Sequence, residues 1–203
     1  MHPVYIEKLA HLPLAERVAR MRDPEIRAAL IKPEGVLNHP FRNTVRRFEQ
    51  MYQMSDPAEY EPDPSTSIAA LAAQRGVTPD EIVYDMLLMN DGHALLMVAS
   101  ANYGERNLDT TLQLMKRDDT VLALGDGGAH YGMICDASYS TYTLTHWTRD
   151  RTRGEKIGVA EAVQMLTDQP AKLHGFRDRG RLAAGLKADV NVIDMDRLSL
   201  PSP

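Results

Sequence analysis

The 203-residue chain has a single cysteine, Cys135, which excludes an internal disulfide framework. A reducing compartment is the simplest setting, so the cytoplasm is the expected location. No stretch approaches the run of about 20 apolar residues that a bilayer crossing requires, and no membrane partner is expected. The first residues carry no secretory pattern: Glu7 and Lys8 interrupt them, and no long apolar segment follows. There is no internal repeat and no low-complexity segment. A large charge excess is missing too. The formal net charge of -5 argues against a nucleic-acid polyanion as the main partner.

What remains is an ordinary globular composition, 43% hydrophobic and 25% charged, enough for one domain or one and part of another. Residues 1–12 read as irregular. Residues 13–31 read as two helices, the second opened by Asp23 as cap and Pro24 at the first helical position. The stretch 32–64 carries Pro33, Pro40, Pro57, Pro62 and Pro64. It reads as a long connection with one strand near Val45–Met51. An alanine-rich helix over 66–75 is stopped by Gly76. Thr78-Pro79-Asp80-Glu81 is a capping box opening a helix to about Met89. Asn90-Asp91-Gly92 is a turn, and 94–100 has strand length.

A helix is then expected from Asn107 to about Arg117, and a strand over 120–125. Further helices are expected over 141–149, 159–166 and 170–174, the last ended by Gly175. The tail from Gly180 to Asp194 suggests two short strands around a Gly185-Leu186-Lys187 turn. Strand–helix alternation up to 174 argues for an α/β fold with a parallel sheet. This divides the chain into 1–175 and a β-rich module over 176–203.

The most informative segment is Val121-Leu-Ala-Leu-Gly-Asp126-Gly127-Gly128-Ala-His130. An apolar run reaches a carboxylate and breaks into glycines. A carboxylate at the C-terminal end of a buried strand is where parallel α/β enzymes place chemistry. The alternative for Asp126 is a turn-forming aspartate in solvent. His130 either contacts substrate or metal or bonds to backbone.

Four pieces in order extend this segment. They are Tyr60-Glu61-Pro62 with the helix ending Gly76-Val77-Thr78-Pro79; Leu124-Gly125-Asp126-Gly127-Gly128-Ala129-His130; Cys135-Asp136-Ala137-Ser138 followed by Thr145-His146-Trp147-Thr148-Arg149-Asp150-Arg151; and Leu166-Thr167 to Pro170-Ala171 with Asp178-Arg179-Gly180, Ala188-Asp189 and Asn191-Val192-Ile193-Asp194. Together they resemble the metal-dependent amidohydrolase superfamily, in its N-acyl-D-amino-acid deacylase (D-aminoacylase-like) branch. The resemblance implies the C-terminal part of a TIM-like (β/α)8 barrel, followed by the start of a small β module. It implies zinc, a metal that polarises an amide carbonyl and acidifies a bound water. It assigns Asp126 as general acid/base and metal ligand, with Gly127, Gly128 and His130 against a small N-acyl amide substrate.

The family's His-x-His pair is missing. The seven histidines are His2, His11, His39, His93, His130, His146 and His174, and none forms it. A whole barrel needs about 250 residues. The expectation is therefore a fragment of a longer zinc hydrolase whose metal cage is incomplete in this chain. The substrate-carboxylate arginine of the branch is missing as well: no Arg or Lys lies between Tyr131 and Tyr142. Arg149, Arg151 and Arg153 lie farther on and read as a solvated face with Asp150. Two alternatives stand beside this: an inactive barrel remnant that binds a partner or itself through exposed edges, or a fragment of a cyclic-amide hydrolase. His146 and Trp147 read as helix packing, Asp178-Arg179 as an ion pair, Asp189 and Asp194 as turn caps. Met86, Met89, Met97 and Met115 read as core filler.

Overall fold

The structure is a computed structural model that describes residues 2–32, 43–99, 101–123 and 136–201. It falls into two compact units. Unit 1 comprises Met1–Ser55 and Glu59–Arg106; unit 2 comprises Asp56–Ala58 and Asn107–Pro203. The described residues are mixed α and β but mostly helical, with one small sheet.

Unit 1 begins with α1 (Pro3–Lys8), where irregular chain was expected. Its cap is His2, whose Nδ1 accepts from the Val4 N–H at 3.2 Å. Histidine is not among the usual capping residues, so the signal was missed. Helices α2 (Leu14–Met21) and α3 (Pro24–Leu30) follow as expected, and Asp23 caps α3 by accepting from Glu25 N at 2.8 Å. Strand β1 (Met51–Gln53) starts where the expected strand near Val45–Met51 ends, because Phe48–Gln50 forms a 3-10 turn.

Helix α4 (Ile68–Arg75) ends at Gly76, whose φ of 67° is left-handed, the conformation that glycine adopts without a Cβ penalty. Helix α5 (Pro79–Leu87) has the full capping box: Glu81 N donates to Thr78 Oγ1, and Thr78 N donates to Glu81 Oε2 at 2.9 Å. The Thr78 N–H first, and then the Thr78 hydroxyl donating to the same oxygen at 2.9 Å, hold the Glu81 carboxyl below its ordinary range. Strand β2 (Leu96–Val98) pairs antiparallel with β1, with Met51 opposite Val98 and Gln53 opposite Leu96.

The parallel sheet expected from the alternation is therefore replaced, among the described residues, by a two-stranded antiparallel ribbon. One face of that ribbon is covered by α4 and α5. Met51, Ile68, Ala72, Ile82 and Met86 form the core there, flanked by Phe48, Leu71, Val83, Leu96 and Val98. Met86 is core as expected, but Met89 is 43% exposed.

Unit 2 contains α6 (Asp109–Met115), α7 (Tyr139–Thr145), a π-helical turn over His146–Asp150, α8 (Val159–Leu166) and α9 (Asp168–Leu173). Helix α8 has the expected bounds. The strand expected over 120–125 is not formed over 120–123. Thr120 instead donates its hydroxyl to the carbonyls of Leu114 and Arg117, which closes the end of α6. Residues 124 and 125 lie outside the described residues.

The two tail strands are likewise replaced by turns over 176–201. Lys187 N donates to Asp178 O at 2.7 Å. The Asp194 carboxylate caps its own turn by accepting from Asp196 N and Arg197 N. No ladder partner lies beside this segment among the described residues, and a strand is defined by its partner.

Candidate functional site

The chemistry-bearing segment itself, with Asp126, Gly127, Gly128 and His130, lies outside the described residues. What the structure does describe is the protein on both sides of it. Upstream, Val121 and Leu122 are half-buried and Ala123 is exposed. Downstream, the chain enters a 3-10 turn at Asp136–Ser138 and then α7.

Helix α7 is unusual in composition. Thr143, Thr145 and Thr148 each donate a hydroxyl to the carbonyl four residues back, at 2.7, 3.0 and 2.5 Å. Such back-bonding competes with the regular ladder and bends helices. The ladder then slips by one residue: Arg151 N donates to His146 O at 2.9 Å, which is the π spacing. Single π turns of this kind are frequent at functional sites.

The slipped turn sends His146, Trp147 and Arg151 inward. His146 stacks on Tyr142 with ring centroids 4.5 Å apart and meets Trp147 edge-on at 5.3 Å. Arg151 places its guanidinium 4.9 Å from the Trp147 ring centre. That side chain has no exposed surface. It donates to Asp109 Oδ1 at 2.6 Å and to the Glu155 carbonyl at 2.8 Å. A Cβ on Gly154 would stand 2.5 Å from the guanidinium carbon, so a side chain there would displace Arg151. The reading of Arg151 as part of a solvated face is thus corrected. The Trp147–Arg151 spacing of one helical turn was a readable hint; the Asp109 partner, far away in sequence, was not.

Arg149 points the other way. Its Nε and Nη2 donate to the Asp150 carboxylate at 2.6 and 2.8 Å, Nη1 donates to Met195 O, and Nη2 also to Leu198 O at 2.9 Å. The bond from Arg149 holds the Asp150 carboxyl below its ordinary range. Arg149 and Arg151 are therefore engaged in structure.

The other resembling pieces also do architectural work where they are described. Tyr103 donates its hydroxyl to Pro62 O at 2.6 Å and meets Tyr52 edge-on. Glu61, between Tyr60 and Pro62, is buried at 3% exposure, a carboxylate that sequence reading had not singled out. Gly180 packs where a Cβ would stand 2.7 Å from Ala171 Cβ, at a φ of +94°. Asp178 and Arg179 form the expected ion pair at 2.9 Å, and Arg179 lies over the Phe176 ring.

In unit 1 a shallow cleft of about 590 Å³ is lined by Arg46, Phe48, Gln50, Ala69 and Pro79, among others. Arg46 on its wall forms a forked pair with Asp80, at 2.7 and 2.9 Å.

Among the described residues, no group of three or more His, Cys, Asp and Glu side chains stands close enough to hold a metal ion. Their histidines are dispersed: His2 caps α1, His146 is inside unit 2, and His11, His93 and His174 are at the surface. The described residues thus do not make up a zinc centre. No described helix is long and apolar enough to cross a membrane.

A protein-family model described as the amidohydrolase family matches residues 1–203. The chain therefore belongs to the amidohydrolase family, a family of hydrolases that generally bind metals. No curated protein and no solved structure matches it.

Proposed function

We propose that the chain is part of a zinc-dependent hydrolase that cleaves linear N-acyl amides, of the N-acyl-D-amino-acid deacylase type. In this reading residues 1–175 are the last portion of a TIM-like barrel, and 176–203 begin a small β module. The observation that carries it is the family match over the whole chain, together with the Gly125-Asp126-Gly127-Gly128-Ala129-His130 segment. The carboxylate of Asp126 takes a proton from the attacking water and delivers it to the departing amine nitrogen as the C–N bond breaks. Gly127 and Gly128 allow the backbone to approach the substrate closely, and His130 lies against it. Asp126 is the residue of this chain assigned to the metal, and no His-x-His pair is present beside it.

The amine half of the substrate is left open by the chain's own residues. Arg149 and Arg151 are engaged elsewhere. Hydrolysis of N-acetyl-D- and N-acetyl-L-amino acids with zinc supplied tests the proposal, using this chain and the longest reading frame that contains it. Turnover by either form, abolished in Asp126→Ala with the helical signal retained, is the expected result. Absence of turnover in both forms overturns the proposal.

A further inference from the structure

The C-terminal segment is attached to unit 2 in an unusual way. No side chain over residues 176–201 is buried; Val192 is 98% exposed, and Met195, Leu198 and Leu200 are only half-buried. Apolar burial, the main source of attachment in folded chains, contributes little. The hydrogen bonds instead close early. Lys187 N to Asp178 O ends one loop, and an ion pair from Lys187 to Asp189 is local to it. Beyond that point, among the described residues, the hydrogen bonds from 188–201 to the body of unit 2 all end on one side chain. Arg149 holds the carbonyls of Met195 and Leu198, and the Asp196 carboxylate adds attraction to the same guanidinium. The Asp194 turn is what presents the two carbonyls side by side.

We propose that residues 188–201 are a detachable strap and that Arg149 is its latch. Two residues apart on one helical turn, the two arginines point in opposite senses. Arg151 locks inward against Trp147 and Asp109, while Arg149 reaches outward to the strap. Because no side chain of the strap is fully buried, its release leaves unit 2 folded. Because the latch is a charged group at the surface, salt weakens it.

Limited trypsin digestion of the full chain, with cleavage after Arg197 followed by mass spectrometry, tests this. Protease attack on a locally opened segment follows the population of the open form, so Arg149→Ala is expected to speed that cleavage roughly tenfold. Asp194→Ala, which removes the turn cap at an exposed position, is expected to act in the same direction. Raising sodium chloride is expected to speed cleavage of the wild type and to leave Arg149→Ala unchanged. The thermal midpoint followed by Trp147 emission stays at the wild-type value in both variants. Unchanged cleavage after Arg197 in both variants overturns the proposal, and so does a loss of folding in Asp194→Ala.

Discussion

In unit 1 the most deeply buried side chains are Leu9, Tyr52, Ile68 and Tyr103, whereas in unit 2 the deepest large side chain is Arg151. The first unit closes by an apolar face of β1 and β2 against α4 and α5. The second also buries apolar residues, among them Leu112, Leu144, Trp147 and Met165, but adds a fully buried guanidinium that bonds to Asp109 and the Glu155 carbonyl and lies over Trp147. Both solutions exclude water, but they fail differently. Shaving an apolar core leaves a cavity whose cost scales with its volume. Removing one partner of a buried ion pair strands the other and also loses the packing of the long side chain.

The comparison breaks first at Ile68. It is fully buried at the centre of the unit 1 cluster, so Ile68→Ala is expected to cost about 4 kcal/mol in urea unfolding followed by far-UV circular dichroism. A loss below about 1 kcal/mol would mean that the cluster does not hold unit 1. Next comes Arg151→Met, which keeps much of the volume but leaves Asp109 without its guanidinium. Half of the Asp109 side chain is exposed, which softens the penalty to about 2–3 kcal/mol. The emission of Trp147, the chain's one tryptophan, reads this directly. A neutral or stabilising result would show that the apolar residues of unit 2 hold it without the buried ion pair.

A smaller effect is expected at the α5 cap. Thr78→Ala removes one half of the capping box and costs about 1 kcal/mol. Glu81→Gln at the same box retains the hydrogen-bonding shape, so it should fall between the wild type and Thr78→Ala in the same urea titration. An effect of another kind is a slope with pH. Burial pushes the Tyr84 phenol up to about 12 from its ordinary 10.0, and its hydroxyl donates to Met21 O at 2.6 Å. The folded state therefore holds this proton more tightly than the unfolded chain. Its contribution is complete below about pH 10 and is lost as pH rises toward about 12. Tyr84→Phe should flatten the decline of unit 1 stability over that window. An identical slope in the variant would assign the decline to other groups.

The same contrast explains what could be read from the sequence. The elements of unit 1 announce themselves through local chemistry. Asp23-Pro24, Gly76 and Thr78-Pro79-Asp80-Glu81 punctuate α3, α4 and α5 at the positions where the structure has them. Strand pairing is non-local, so the antiparallel ribbon was misread as part of a parallel sheet. Strand-like composition in 120–123 and in the tail did not suffice without neighbours to pair with. The inward arginine of unit 2 was only hinted at by its spacing from Trp147, because its partner Asp109 lies on another helix. At the candidate site, the order of motifs was legible and the family match agrees with it. Asp126, Gly127, Gly128 and His130 rest on that order alone.

Helix α5 bears one further property. Arg27, on α3, reaches Asp85 through two bonds at 3.2 and 3.1 Å and lies 3.7 Å from Glu81, while Arg46 grips Asp80. The chain before and after residues 31–45 is thus moored to a single helix. One short helix thus serves two basic partners far apart in sequence, so a change at Asp80 or Asp85 would release one of them and leave the Thr78–Glu81 cap in place.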